Sequence, residues 1–243
     1  MTRKARLIID SPRDASTNMS IDEALFRSAP SSSFSATLRL YGWAPRAVSL
    51  GRRQKMTEVL KPEICKKEGI EIVKRPGGGA AVYHDKELTY AFVCRLADIP
   101  EPPAAVWREL FVSFLDKLGI KADAMGKSGT GGAEACFAWA AEDEPTVNGK
   151  KFVGSARRRS RTAFLQHGSI LLESQPEVLG RLLRRPEPDN STGLCDILPG
   201  LNLEKISDEF VRAVAVTLGL DFQKGEYVEE EIRLEKGRGY GRL

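Results

Sequence analysis

Cysteine and histidine are scarce in these 243 residues: four cysteines (Cys65, Cys94, Cys136, Cys195) and two histidines (His84, His167). None of the cysteines forms a CxxC pair, which argues against a dedicated zinc site and for free thiols in a reducing compartment. No apolar run approaches the length of a membrane span. The N-terminus, Met1-Thr-Arg-Lys-Ala-Arg-Leu-Ile-Ile-Asp10, lacks the apolar core of a signal peptide. A cytoplasmic protein without a membrane partner is therefore expected. A strong charge of one sign is also missing. The net charge of +4 is mild, which disfavours nucleic acid and suits an acidic protein or an anionic small molecule. No internal repeat is present. The length fits one large domain across residues 1–243, with a charged, glycine-punctuated tail from about residue 226 that is expected to fray.

What is present centres on Arg75-Pro76-Gly77-Gly78-Gly79-Ala80-Ala81-Val82-Tyr83-His84-Asp85. Pro76 biases Arg75 to an extended conformation, so Arg75 ends a strand running from Ile70 to Lys74. Three glycines then strip the turn of Cβ atoms, and a ligand can approach its N–H groups. A tight loop between strands is the plain reading of such a turn. A cation before it and Tyr83, His84 and Asp85 after it favour a site. It is neither a Walker loop nor the Gly-x-Gly-x-x-Gly fingerprint, since no Gly-Lys-Ser/Thr and no helical pattern follow.

The remaining chain alternates short strands with isolated helices. Leu7 to Ile9, Thr37 to Tyr41, Ala47 to Leu50, Leu88 to Cys94 and Phe164 to Leu172 read as strands. An amphipathic helix carries Ile21, Ala24 and Leu25, with Ser20-Ile21-Asp22-Glu23 at capping-box spacing and Asn18 as an alternative cap. Pro62 and Gly69 bracket a helix through Cys65. Trp107, Leu110, Phe111, Phe114, Leu115 and Leu118 repeat at helical spacing before Gly119, and Pro176 opens another helix. Ser207 is the expected cap of a last one, stopped at Gly219. Strands outnumber helices and helices do not follow every strand. The class is therefore α+β, a mixed sheet flanked by helices.

Cys65 and Cys94 read as packing residues. Cys136 instead follows the flexible Gly126-to-Gly132 stretch and precedes a hairpin, Thr146-Val147-Asn148-Gly149-Lys150-Lys151. Cations lower a thiol pKa, and Lys150, Lys151 and Arg157 to Arg161 lie just beyond. Adjacent strand residues point to opposite faces, so one lysine of the pair faces the covered side and needs an anionic or carbonyl partner. The arginine run reads as a solvated loop or a dock for an acidic carrier.

These motifs together resemble the biotin/lipoate protein ligase and octanoyltransferase family. The resemblance rests on the glycine turn with Glu87-Leu-Thr-Tyr90, Asn18 to Glu23, Leu38 to Trp43 and Val48 to Gly51. Val147 to Ala156 and Gln166 to Ile170 extend it. It implies a ligase-type fold with an acyl pocket and Lys151 on the acyl carbonyl. Gly77, Gly78, Gly79, Arg75, Tyr83, His84, Gly154, Ser155 and His167 are the implied substrate-binding residues. Cys136 lies fifteen residues before Lys151, the nucleophile spacing of the cysteine-dependent octanoyltransferase branch. The chain ends soon after Leu220, without the accessory domain of many ligases, and this also points to the transferase. Gly77 stands where that branch carries Thr, Ala80 where it carries Arg, and no Pro-Ser-aromatic follows Phe137.

The expected activity is transfer of an octanoyl group from acyl carrier protein, through a Cys136 thioester, to a lysine of a lipoyl domain or glycine-cleavage H-type protein, with no cofactor. Two alternatives remain. One is a lipoate–protein ligase using ATP and magnesium through an acyl adenylate. The other is a degenerate, non-enzymatic acyl- or carrier-binding protein.

Overall fold

The computed structural model describes residues 2–123, 137, 141, 144–186 and 188–236. In chain order it runs β1 (Arg3–Ile9), α1 (Ala15–Ser28), β2 (Ala36–Tyr41), β3 (Ala47–Leu50), α2 (Met56–Val59), α3 (Pro62–Lys67), β4 (Glu71–Lys74), β5 (Val82–His84) and β6 (Glu87–Arg95). Then follow α4 (Ala104–Lys117), β7 (Thr146–Val147), β8 (Lys150–Lys151), β9 (Val153–Arg159), β10 (Ala163–Leu171), α5 (Pro176–Leu182), α6 (Leu194–Ile197), α7 (Leu203–Leu218), β11 (Leu220–Lys224) and α8 (Glu229–Lys236). Helices flank mixed sheets, the α+β arrangement expected.

The main sheet has the order β11-β1-β2-β6-β10-β9. Its first three strands are parallel, and antiparallel pairs continue it from β2 to β9. Strand β6 is buried along almost its whole length because both its faces are covered. Leu88, Tyr90, Phe92 and Cys94 face Trp107, Phe111 and Phe114 of α4 and Phe210 of α7. Ala91 and Val93 face Met19, Leu25 and Phe26 of α1. This is the strand period of two, read from opposite sides. Each aromatic buried there contributes on the order of 1.5–3 kcal/mol. Gly119, with φ 79°, closes the chain just beyond α4, as the pattern implies.

A second sheet, β4-β3-β5, stands beside the first. The strand over Ala47 to Leu50 is its middle member and pairs with β4 and β5. Hairpin β7–β8 turns through Asn148 and Gly149, with φ 53° and 74°, the positive angles that a two-residue type I′ turn demands.

Four expectations are corrected. Helix α1 begins at Ala15 and is capped by Asp14, which accepts from the Thr17 N–H. Asn18 and Ser20 are buried inside the helix, where Asn18 donates to the carbonyls of Arg13 and Gly42. Helix α7 starts at Leu203 under Asn202, not at Ser207. The tail does not fray over Glu229–Lys236. That stretch is α8, whose Glu231 pairs with Arg6 at 2.5 Å, both 2% exposed. Finally, Arg157 to Arg159 do not lie in a loop. They belong to edge strand β9, because residues 153 to 159 find backbone partners along β10.

Candidate active site

The glycine turn leaves β4 and enters β5 at the end of the second sheet. Arg75 folds back under it: its guanidinium donates to the carbonyls of Gly78 at 2.7 Å and Ala80 at 2.6 Å, and to the carbonyl and hydroxyl oxygens of Ser49, both at 3.1 Å. Arg75 is 5% exposed and sets the shape of the turn. Two glycines are needed for close approach. A Cβ on Gly51 would stand 1.9 Å from the Gly79 carbonyl oxygen, and one on Gly77 would stand 2.6 Å from His167 Nε2.

Where the two sheets meet lies a cavity of about 30 Å³, bordered by Trp43, Arg75, His84, Gly154, Ser155 and His167. Its volume is that of a water or two. Two buried polar clusters build its walls. In the first, His84 Nδ1 lies 2.8 Å from Glu87 Oε1 and Nε2 lies 2.7 Å from Ser49 Oγ, while the ring stacks on Trp43 with centroids 3.9 Å apart. Since the carboxylate can only accept, it assigns the proton to Nδ1. The Trp43 indole donates to Thr89, which donates to the same carboxylate oxygen.

The second cluster holds His167, whose Nδ1 lies 3.0 Å from Asp22 Oδ2. Asp22 also accepts from Arg39 Nη1 and from the Tyr41 hydroxyl, each at 2.9 Å. Arg39 is fully buried and reaches Asp10 and Tyr227 as well. His167 Nε2 is buried without a hydrogen-bond partner among the described residues. It faces the glycine turn, where Gly77 has no side chain to meet it.

Lys151 is not among the residues that border this cavity. It is the inward lysine of the hairpin, 2% exposed, whereas Lys150 is exposed. Its ammonium lies 2.6 Å from Glu144 Oε2 and 5.2 Å from the centre of the Phe137 ring. Phe137 also borders a second cleft with Tyr83, Glu87, Leu171, Asp189 and Ser191. Cys136 lies outside the described residues.

A lipoyl protein ligase A/B catalytic domain model matches residues 14–217. The chain belongs to that family. Octanoyltransferase LipM of Kyrpidia tusciae is 34% identical over 93% of this chain and 91% of its own length. The LipM of Symbiobacterium thermophilum is 33% identical over 93% and 90%. Among solved structures, a lipoate-protein ligase A bound with ATP superposes with a TM-score of 0.82 at 24% identity, covering 96% of this chain and 93% of that one. A chain of the bipartite lipoate protein ligase system of Thermoplasma acidophilum gives 0.78 at 21%, covering 97% and 91%. At those identities the structures establish the fold.

Within this family fold, Arg75, His84, Gly154, Ser155 and His167 gather around one cavity, with Gly77 against it and Tyr83 at the neighbouring cleft. Gly78 and Gly79 shape the turn. Three participants escaped sequence reasoning: Asp22, Arg39 and Glu144. Asp22 and Arg39 sit inside motifs already singled out, and their burial was the missing signal. Glu144 had none.

Proposed function

We propose that this chain is an octanoyltransferase of protein lipoylation that works through a cysteine thioester. The Cys136 thiolate attacks the carbonyl carbon of an octanoyl thioester on acyl carrier protein. The carrier thiol leaves with a proton, and an acyl-enzyme remains. Lys151 stabilises the oxyanion that forms on the way. The neutral amine of an acceptor lysine then attacks, the Cys136 thiolate departs, and the amine proton is lost as the amide forms. Thioester to amide is downhill, so no nucleotide or other cofactor enters. The acceptor is a lipoyl domain or a glycine-cleavage H-type protein.

The observation that carries this reading is Lys151, a buried ammonium against Phe137, the residue bonded to Cys136. Full-length similarity to octanoyltransferases gives the acyl group. The other thiols are poor competitors. Burial pushes Cys94 up to about 12 and raises Cys65 and Cys195 as well, whereas a nucleophile needs a lowered value. The cleft beside Phe137 is bordered by Asp85, Glu87, Glu173 and Asp189 against one cation, Lys86, a net acidic lining that disfavours a polyphosphate. The apolar wall for the acyl chain is the cavity under the glycine turn, which must widen to take it.

Intact-protein mass spectrometry after mixing with octanoyl-acyl carrier protein tests the scheme. A hydroxylamine-labile adduct on Cys136 is expected. Steady AMP release from ATP and free octanoate, coupled to acceptor modification, would replace the transferase by a ligase. Carrier binding with neither reaction would leave a binding protein.

A further inference from the structure

We propose that Glu144 is the positioning residue of the transfer reaction: it keeps Lys151 protonated and fixes its ammonium at the acyl carbonyl. The inference rests on the role just given to Lys151 and concerns a residue outside every motif of the resemblance. Glu144 is 3% exposed, and its carboxylate has three ties. Oε2 lies 2.6 Å from Lys151 Nζ and accepts the Ala141 N–H at 2.8 Å; Oε1 accepts the Ser155 N–H at 2.7 Å. Its own N–H donates to the Ala141 carbonyl at 3.0 Å. One side chain thus joins the stretch following Cys136, the lysine on β8, and the strand that borders the cavity.

Lys151 is fixed at its other end by backbone. Its N–H donates to Asn190 at 2.8 Å, its carbonyl accepts from Thr192 at 2.9 Å, and the Asn190 N–H donates to the Phe137 carbonyl at 3.3 Å. The carboxylate therefore holds the ammonium end, while these backbone bonds hold the other.

The pairing also has a chemical consequence. An ammonium taken out of water tends to shed its proton, and an anion within about 4–6 Å opposes that loss. Oxyanion stabilisation needs the charged form. Among the described residues, the other charged groups on the surrounding segments have different partners. Asp189 accepts the Ser191 N–H, Asp123 accepts the N–H groups of Asn148 and Gly149 at the hairpin turn, and Lys150 points to solvent.

Glu144→Gln discriminates, because the amide keeps one oxygen for the Ser155 N–H but turns a donor towards the ammonium. The measurement is the pH dependence of acyl-enzyme formation from octanoyl-acyl carrier protein, followed by intact mass. In Glu144→Gln the alkaline limb is expected to move about one to three units lower, with at least a tenfold loss at the optimum. Glu144→Asp is expected to restore the position of the limb. A Glu144 that merely pins the chain would slow both variants with the limb unmoved, and that result overturns the proposal.

If Glu144→Gln alone does not fold, the neutral pair Lys151→Met/Glu144→Gln removes both charges together, a change buried pairs tolerate well. It is expected to be no slower than Lys151→Met alone. Losses that multiply would show Glu144 acting independently of Lys151, which again overturns it. The wild-type adduct keeps the two readings apart. No adduct on Cys136 fails the transfer scheme, whereas an adduct with an unmoved limb fails only Glu144.

Discussion

Two of the buried cations at and around the site, Arg39 and Lys151, are surrounded differently. Arg39 lies on a central strand of the main sheet, beneath α1. Its guanidinium is held by Asp10, by the side chain and carbonyl of Asn18, and by Asp22 and Tyr227. The planar fork of arginine suits such a crowd of acceptors. Lys151 lies on a two-residue strand at a hairpin, against the Phe137 ring and the Glu144 carboxylate. A charge locked by many acceptors inside a sheet serves architecture. Here that architecture positions His167 through Asp22. The cavity under the glycine turn thus lies between the sheets, and Lys151 on a short hairpin.

The largest expected effect is at the reacting end. Cys136→Ala should abolish the octanoyl adduct and the transfer, since the two-step route loses its intermediate. Peptide mapping that finds the adduct on Cys65, Cys94 or Cys195 would break the scheme. Arg39→Met should act on architecture instead. It leaves Asp22 and Asp10 without their cation and is expected to cost about 3–5 kcal/mol, read from urea denaturation. A variant that melts like the wild type but transfers poorly would reverse the contrast between the two cations. Lys151→Ala, assayed below its melting transition, should slow acylation by about 10²-fold or more, the scale of losing an oxyanion donor. Single-turnover adduct formation measures it.

The arginines of β9 sharpen the same comparison. As a solvated loop, Arg157 to Arg159 could be changed together at no cost to the fold. In the structure Arg158 pairs with Glu23 and lies over Phe26, Arg157 donates to Gln166, and Arg159 pairs with Glu101. The triple change to Ser is therefore expected to lower Tm as well as the salt dependence of carrier use. Arg159→Ser alone, at an exposed edge, should touch only the latter. A second-order rate whose salt dependence matches the wild type in both variants would remove this strand from carrier docking.

Much of this was legible in the residues because it is local. Asn148-Gly149 announces its turn, the Trp107 period its helix, and adjacent Lys150 and Lys151 announce that one of them must be inward. What was not legible depends on pairing across the chain. Asp22 meets His167 over 145 positions and Arg6 meets Glu231 over 225. Neither spacing carries a signal until the order β11-β1-β2 and the helices packed on it are known. The caps failed for a related reason. Asn18 has capping chemistry, but burial gave it backbone carbonyls to serve, so the helix could start four residues earlier at Asp14.

The smallest expected effect tests how far the architectural network extends. Burial works against ionisation of Asp10, yet hydrogen bonding from Tyr227 and the charge of Arg39 outweigh it and hold the carboxyl below its ordinary value of 3.8. A carboxyl depressed in the folded state contributes stability that is fully present above the unfolded value. That stability is lost as pH falls through the folded one. Tyr227 donates to Asp10 at 2.5 Å, so Tyr227→Phe removes one of the depressing causes and leaves the burial. The folded value must then rise. The variant should be less stable than the wild type by about 1.5–3 kcal/mol above pH 5, the range for a hydrogen bond to a charged group. The difference should shrink as pH falls and Asp10 becomes protonated in both proteins. Urea midpoints measured from pH 7 down to pH 3 would show the two curves converging. Parallel curves would mean that the Tyr227 hydroxyl does not act through the charge of Asp10.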